Sequence, residues 1–447
     1  MQTLLHNARV LTMNDTFDEY LCGWLVLEDE MILVVGQNEI PEVYKSADVV
    51  IDMNGDLIMP GMINTHCHMP MTLFRGLGED VDDRLFRYIL PLEREAITPE
   101  VVRIGANLAA LEMMLGGVTT VADMYWFEYE IGRVLDVSGM RGIVGQSLAD
   151  FDPPDHSTFD EGFAIVDDLR NEFCGNTRIT ASIAPHAPYS TGKKIMERVA
   201  KYVETYPEVK IQMHLAEMKT EMEWCEKNYK MRPVELADKS GILQPGAIMA
   251  HCLELNSEEI RILGERKIGV AHNPRSNAKA GRGIAPVEAM RHSGISVGLA
   301  SDGPMSGNTL DIFAQLAPAS MFAKILGKSR KCLPARDLIK MATIEGAKVL
   351  GLGDQVGSIE TGKKADLIRV SLQDPRHNPI YDVYATLVFS GIATDVLDVM
   401  IDGKWVVKNR CPQTLDQGKV LRDAQQMATK FKQKVAQIDA TVLSGTV

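Results

Sequence analysis

The sequence of 447 residues lacks long apolar runs, a basic leader and any CxxC pair. A membrane-spanning helix needs ~20 apolar residues, and a secretory signal needs a basic stretch before an apolar one, so a cytoplasmic protein is expected. The seven cysteines are odd in number and widely scattered. They predict reduced thiols and argue against a thiolate zinc cluster.

Positive charge is also scarce: the sequence has 47 Lys and Arg residues and 60 Asp and Glu residues, which gives a formal net charge of −13. Nucleic-acid binding relies on clustered basic residues, so we expect a small-molecule partner and neither nucleic acid nor membrane; a homo-oligomer stays open. The hydrophobic content of 45% is typical of a folded globular protein. The length favours one large catalytic unit with a smaller unit attached.

Eight short apolar runs, each ending in polar and chemically capable residues, recur along the middle of the chain. The runs are residues 57–68, 118–125, 142–150, 179–189, 209–217, 247–255, 267–277 and 295–304. Segments with helical spacing, such as 99–115, lie between them. Strands buried on both faces that alternate with helices predict a parallel sheet, and eight repeats predict an α/β fold closed into a TIM-like (β/α)8 barrel.

The two ends of the chain predict a second domain. Residues 1–57 and 355–412 both show alternating β-type patterns and are expected to pair into one small β-sandwich domain. This domain is discontinuous because the catalytic barrel, residues 58–354, is inserted within it. Residues 413–447 predict a C-terminal helix, whose apolar stripe should serve packing. The stripe consists of Val420, Leu421, Ala424, Met427, Phe431, Val435 and Ile438.

A metal site is predicted at the carboxyl ends of the strands. His66 and His68 flank one residue at the end of the first run, so the period-two geometry of a strand puts both imidazoles on one side. In isolation such a pair could equally be two polar residues near a strand end. His214 and Asp302 end the fifth and eighth runs, and a closed barrel brings all four residues to one mouth.

Three imidazoles and one carboxylate suit one divalent ion, with Zn²⁺ favoured and Fe²⁺, Mn²⁺ or Ni²⁺ able to fill the same set. A second ion would need a bridging anionic ligand such as a carboxylated lysine on the fourth strand. The fourth run, residues 179–189, contains no lysine. A mononuclear site is therefore predicted.

Two further residues are expected to handle protons. Glu217 lies three residues after His214, where its carboxylate could reach a reacting water, and it is the predicted proton shuttle. A solvated loop glutamate is the alternative. His251 ends the sixth run and has no place in a four-ligand set, so it is expected to orient and polarise the attacking water. The alternative is a buried structural histidine.

Several separated motifs resemble the amidohydrolase superfamily, and in particular its methylthioadenosine and S-adenosylhomocysteine deaminases, with chlorotriazine and guanine aminohydrolases as more distant relatives. The motifs are PGMINTHCHMPMTLFRG, ADMY, APHAPYS, HLAE, AHC, HNPRSN, ASDGP and GSIETGKKADLI, and the resemblance runs from about residue 4 to 410. It implies the same metal ligands and the same role for Glu217. It also implies that Glu93 holds a ribose and His186 the heterocycle, although Glu93 could be a helix-surface carboxylate and His186 a strand-end hydrogen bonder.

Two positions depart from that resemblance. Arg84 stands where the adenosylhomocysteine deaminases usually have a tryptophan, and Gln146 stands where relatives carry an arginine that grips an amino-acid carboxylate. A neutral amide cannot replace a bidentate guanidinium. These two substitutions therefore predict a preference for methylthioadenosine or adenosine-like substrates over S-adenosylhomocysteine.

The predicted reaction is hydrolytic deamination of an aminated nitrogen heterocycle. A water activated by the metal attacks the ring carbon, and ammonia leaves. In this prediction Glu217 moves the water proton to a ring nitrogen, Asp302 takes the remaining proton, and His251 stabilises the oxyanion. One alternative is hydrolysis of a free pterin, guanine or triazine, including dechlorination, or of a cyclic amide. A more distant alternative is a non-catalytic metal-binding protein.

Overall fold

The computed structural model describes residues 1–81 and 84–443, and it begins with five strands that belong to one sheet. The strands are β1 (Gln2–Leu11), β2 (Glu19–Glu28), β3 (Met31–Gln37), β4 (Val49–Asp52) and β5 (Leu57–Pro60), with the short helix α1 (Glu42–Lys45) between β3 and β4. β1 pairs antiparallel with β2 and parallel with both β4 and β5. These strands already form a mixed sheet.

The next eight strands form the barrel. They are β6 (Met62–Cys67), β7 (Val118–Tyr125), β8 (Arg141–Leu148), β9 (Ile179–Pro185), β10 (Lys210–Leu215), β11 (Ile248–His251), β12 (Gly269–His272) and β13 (Ser296–Leu299). Each hydrogen-bonds in parallel with the next. The Thr65 hydroxyl donates to the Leu299 carbonyl at 2.9 Å and so ties β6 to β13. The predicted (β/α)8 fold class is confirmed.

Helices follow the strands of the barrel, and several begin at a capping residue. The helices are α2 (Leu90–Ala96), α3 (Pro99–Leu115), α4 (Glu128–Ser138), α5 (Phe159–Glu172), α6 (Pro188–Thr205), α7 (Lys219–Tyr229), α8 (Pro233–Lys239), α9 (Ser257–Glu265), α10 (Pro274–Lys279), α11 (Val287–His292), α12 (Pro304–Gly307), α13 (Phe313–Gly327), α14 (Ala335–Met341) and α15 (Ile344–Val349). Thr158 and Glu161 form a capping box at the start of α5, and Asn256 and Glu259 form one at α9. Each box satisfies backbone N–H groups that the helix itself leaves without partners.

The chain then returns to the first sheet. The remaining strands are β14 (Leu367–Val370), β15 (Val396–Ile401), β16 (Lys404–Lys408) and β17 (Cys411–Pro412), with helix α16 (Val383–Phe389) between β14 and β15. β14 pairs antiparallel with β5, which gives the order β17-β16-β15-β14-β5-β1-β2-β3 with β4 beside β1. Both chain ends therefore build one mixed sheet, separate from the barrel.

The first apolar run, residues 57–68, differs from its prediction as a single barrel strand. It contains two strands, β5 in the mixed sheet and β6 in the barrel, with Gly61 between them. A Cβ at Gly61 would lie 2.2 Å from the side chain of Thr119. The close approach of β7 at this point explains why the residue between the two strands is a glycine.

The C-terminal helix α17 (Gln417–Leu443) packs against α3 and the 3-10 turn Met69–Phe74. The ring of Phe431 lies 5.0 Å from that of Phe74, edge to face. Leu421 differs from the predicted stripe because it is 48% exposed. Among the described residues, no helix combines the length and apolar character needed to span a membrane.

Candidate active site

The four predicted ligands meet at the carboxyl ends of the barrel strands. One ligand nitrogen from each of His66, His68 and His214 lies within 4.8 Å of the others, and the same holds for ligand atoms of His66, His251 and Asp302. Asp302 Oδ1 is 3.4 Å from His68 Nε2 and 3.9 Å from His66 Nε2. The structure therefore brings the predicted ligands together and places His251 beside them.

Backbone carbonyls fix the orientation of two of these rings. His68 Nδ1 donates to the Met124 carbonyl at 2.5 Å, and His214 Nδ1 donates to the His186 carbonyl at 2.9 Å. Each ring therefore presents its Nε2 toward the others, as metal-binding histidines do. His66 Nε2 is buried and has no hydrogen-bond partner among the described residues. This donor set fits a divalent cation that prefers nitrogen and oxygen ligands.

Three of the four predicted ligands are in the protonation state that binds a metal. Burial lowers the pKa values of His66 and His214 well below the usual value for histidine, so both rings are neutral. Burial alone would also lower the pKa of His68, but the hydrogen bond and charge of Asp302 raise it to about 8. Although burial opposes it, the surrounding histidines hold the pKa of Asp302 well below its usual range. Neutral imidazoles and an ionised carboxylate are the forms that bind metals.

Asp302, three residues after the end of β13, is held in an unusual backbone conformation. Its φ is +60°, in the left-handed region that non-glycine residues seldom adopt. Its carboxylate accepts hydrogen bonds from the Ser276 hydroxyl and, at 2.7 Å, from the Gly303 N–H. Strain of this kind persists where surrounding contacts enforce it, and it is typical of functional sites.

Glu217 and His251 lie close to each other in the same mouth. Glu217 Oε1 is 3.5 Å from His251 Nε2, and both side chains are buried. The turn that follows His214 is fixed by Glu221 on α7, whose carboxylate accepts the N–H of Ala216 at 3.0 Å and that of Glu217 at 2.8 Å. The turn aims the Glu217 side chain toward His251 and the predicted ligands.

Glu93 and His186, the predicted substrate contacts, border the ligand histidines. Burial raises the pKa of Glu93 to about 7, and His68, Tyr125 and Trp126 act against that rise. The ring of His186 lies 4.8 Å from that of His214. Burial lowers the pKa of His186 to about 3, so it is neutral and able to hydrogen-bond a heterocycle. That either residue contacts a substrate stays a prediction.

Arg84 and Gln146 are both engaged within the protein. The Arg84 guanidinium donates to the Met305 carbonyl. Gln146 is buried, and its Nε2 donates to Asp155 Oδ2 at 2.9 Å and to the Ser147 carbonyl at 3.2 Å. The amide N–H groups of Gln146 are thus already used by the wall of the site. Substrate contact by these two residues also stays a prediction.

A buried acidic pair supports the strand that carries His66 and His68. Asp123 Oδ2 accepts hydrogen bonds from Cys67 Sγ at 3.1 Å and from the Met69 N–H at 2.6 Å. Burial and the adjacent Asp123 raise the pKa of Glu128 well above its usual value, so Glu128 keeps its proton. Asp123 lies in the ADMY motif of the resemblance, but no pattern in the sequence marked Glu128 as its partner.

Sequence reasoning also missed Ser276, Asn277 and Arg282 as neighbours of the site. Asn277 Oδ1 lies 2.8 Å from His251 Nδ1, and the Arg282 guanidinium forms an ion pair with Glu217. Ser276 and Asn277 stand within HNPRSN, a motif that was used only to mark the resemblance. Arg282 lies outside every quoted motif, and its contact depends on how the chain turns after α10.

Known proteins match this chain along almost its whole length. The amidohydrolase family matches residues 57–406. A 5-methylthioadenosine/S-adenosylhomocysteine deaminase of Syntrophomonas wolfei is 36% identical over 434 residues, 96% of this chain and 99% of that protein. A 5'-deoxyadenosine deaminase of Methanosarcina mazei is 34% identical over 97% of this chain and 99% of its own. The crystal structure of an adenosine deaminase from Xanthomonas campestris with bound zinc superimposes with a TM-score of 0.94 at 30% identity, covering 96% of this chain and 98% of that one.

Proposed function

The chain belongs to the amidohydrolase family, and on that premise we propose that this metal-dependent deaminase acts on an adenosine-type nucleoside, such as methylthioadenosine, and releases ammonia. The observation that carries the proposal is the position of Glu217. Its carboxylate lies 3.5 Å from His251 Nε2, in the mouth where the predicted metal ligands converge. A proton-transfer group beside a cation site is what hydrolytic deamination requires.

We assign the cation to His66, His68, His214 and Asp302. Zn²⁺ is favoured, because the donor set suits it and the similar adenosine deaminase structure contains zinc. A cation held there would lower the pKa of a coordinated water toward ~7 and so supply hydroxide at neutral pH. His251 stays outside this set, because the four ligands already fill it and His251 Nε2 faces Glu217 Oε1 at 3.5 Å.

The protein's own groups move the protons. Glu217 accepts a proton from the attacking water and passes it to a ring nitrogen, which makes the amino-bearing carbon electrophilic. Asp302 takes the proton of the new hydroxyl group and gives it to the departing amine, which leaves as ammonia. His251 donates its Nδ1–H to Asn277 Oδ1 at 2.8 Å, so its Nε2 can accept a hydrogen bond from the attacking water and orient it.

A nucleoside fits the residues that border the ligands. The Glu93 carboxylate can accept hydrogen bonds from both ribose hydroxyls, and the neutral imidazole of His186 can bond a ring nitrogen. The rings of Phe151 and Tyr189 lie 5.1 and 5.8 Å from that of His186 and offer apolar faces to a heterocycle.

The 5' end of the nucleoside is the part in which candidate substrates differ. An amino-acid carboxylate needs a fixed cation, whereas the Gln146 amide is neutral and already bonded to Asp155. Losing a bidentate arginine there should reduce recognition of S-adenosylhomocysteine ~10- to 100-fold. Methylthioadenosine and other nucleosides with small uncharged 5' groups are therefore the proposed substrates.

Ammonia release from a panel of compounds tests the proposal. The panel should contain methylthioadenosine, adenosine, S-adenosylhomocysteine, guanine, a pterin and a chlorotriazine, and kcat/KM should be highest for one of the first two. Turnover of a free heterocycle with no activity on any adenosine derivative would refute the nucleoside assignment. Failure to hydrolyse any of them in metal-loaded protein would favour a non-catalytic role.

Two glutamates on the same helix provide a matched pair of variants. Glu93→Gln should lower kcat/KM for nucleosides, because the buried carboxylate is proposed to hold the ribose. Glu95→Gln is the control, since Glu95 is partly exposed and pairs with Lys434 on α17 at 2.7 Å. Equal effects of the two substitutions would show that Glu93 does not contact the ribose.

A further inference from the structure

One short segment, residues 276–282, contacts Glu217, His251 and Asp302, the three side chains to which a part in the reaction is assigned. The pairs are Ser276 with Asp302, Asn277 with His251, and Arg282 with Glu217. In the first two pairs, Ser276 and Asn277 belong to HNPRSN, one of the motifs that carry the family resemblance. Arg282 lies five residues beyond the end of that motif.

The end of helix α10 explains why Arg282 reaches the mouth. The Arg282 N–H donates to the Asn277 carbonyl and the Gly281 N–H donates to the Ala278 carbonyl, both at 3.0 Å. This pair of bonds is a Schellman motif, which ends a helix by placing one residue in the left-handed conformation. Gly281 has φ +65° and fills that position. The chain therefore turns back at the end of α10, and this turn fixes the position of Arg282.

Arg282 closes the solvent side of the Glu217 carboxylate. The side chain of Arg282 is 29% exposed and that of Glu217 is 11% exposed, so the guanidinium is the outer member of the pair. Glu217 Oε1 also faces His251 Nε2 at 3.5 Å, while its backbone N–H is held by Glu221. The Glu217 carboxylate is thus fixed between the Arg282 guanidinium on the solvent side and His251 on the inner side.

We propose that Arg282 is a positioning residue for the deamination, which holds the Glu217 carboxylate in the orientation from which it reaches the substrate ring. The inference rests on the proposed function, because it takes Glu217 as the proton carrier. An ionised partner makes a shorter and stronger hydrogen bond than a neutral one. Without it, the carboxylate is free to rotate, and small misplacements of reacting groups are costly in rate.

Steady-state kinetics of the metal-loaded full chain test the role of Arg282. With methylthioadenosine as substrate, Arg282→Met should lower kcat ~10- to 100-fold and leave KM within about threefold, because ground-state binding does not require the pair. Arg282→Lys should recover part of kcat, since lysine keeps the positive charge but lacks the planar guanidinium that can make two parallel hydrogen bonds. Arg266→Met is the control: Arg266 is exposed, pairs with Asp238 at 2.7 Å and should leave both constants unchanged.

A double variant shows whether Arg282 acts through Glu217. Adding Arg282→Met to Glu217→Gln should cause no further fall in kcat, because the group that Arg282 positions is already absent. A further fall as large as in the wild-type background would overturn the inference. So would wild-type or increased kcat in Arg282→Met, or a change confined to KM.

A crystal structure separates this inference from the proposed function. If the wild-type protein releases no ammonia from any nucleoside, the proposed function fails. The metal-loaded Arg282→Met protein can still be crystallised, and its Glu217 carboxylate should be turned away from His251. An unchanged carboxylate position in that crystal would overturn the role of Arg282 whatever the substrate is.

Discussion

Replacing Arg141 with methionine should destabilise the protein without slowing its reaction. The Arg141 side chain is 2% exposed and joins the barrel strand β8 to the mixed sheet. It bonds Asp366 at 3.0 and 3.2 Å, Asp402 at 2.6 Å and the Thr177 carbonyl at 3.0 Å. Methionine fills similar space but leaves the buried Asp366 without its cation, and Asp402 with only Arg178 at 3.9 Å. Breaking a buried ion pair in this way costs about 3–5 kcal/mol.

Calorimetry gives the measurement. With an unfolding entropy of about 2.1 cal/mol/K per residue, a cooperative chain of this length should lose about 3–5 °C in Tm. The value of kcat/KM at 25 °C should not change, because Arg141 begins β8 and the candidate site lies at the far end of the strands. Arg141→Met combined with Asp366→Asn should lose less than the sum of the single changes. An unchanged Tm would refute the reasoning.

Three further predictions concern the site. Purified protein should hold close to one divalent ion per chain, and His66→Ala should lose both ion and activity; two tightly bound ions would contradict the single-ion set. Glu217→Gln should keep the metal while kcat falls ~10²-fold or more, whereas near wild-type turnover would remove Glu217 from the mechanism. Burial raises the pKa of Glu221 from 4.5 to about 8, so between those values the folded protein keeps a proton that the unfolded chain releases, and stability falls as pH rises. Glu221→Gln should flatten the dependence of the free energy of unfolding on pH across that window, and an unaltered slope would disprove the assignment.

The barrel and the convergence of the predicted ligands could be read from the sequence because both follow from the geometry of parallel strands. The segments that carry His66, His214 and Asp302 are continuous apolar runs that end in polar residues, and their carboxyl ends necessarily meet at one edge of a closed sheet. The spacing of His66 and His68 needed only the two-residue period of a strand. No contact between distant segments had to be known.

The contacts that support those residues could not be predicted, because each depends on the path of a loop. Ser276 reaches Asp302 only because β12 and β13 are neighbours and α10 begins where it does. Arg282 reaches Glu217 only through the left-handed turn at Gly281. A pattern of residue types records neither the direction of a turn nor the rotamer that follows it. The same limit explains the run 57–68, whose division at Gly61 depends on the approach of Thr119.

Gln146 shows how the structure changes the reason for a prediction without reversing it. In the sequence alone, an amino-acid tail is disfavoured only by the absence of an arginine at this position. In the folded protein, Asp155 Oδ2 lies 2.9 Å from Gln146 Nε2, and Asp155 Oδ1 lies 2.7 Å from His156 Nδ1. A substrate carboxylate brought to this wall would face a buried carboxylate as well as lack a cation, and like charges in a buried setting repel strongly. In the proposed function, the wall at the end of β8 would therefore disfavour an anionic tail through a charge that is present, not only through one that is missing.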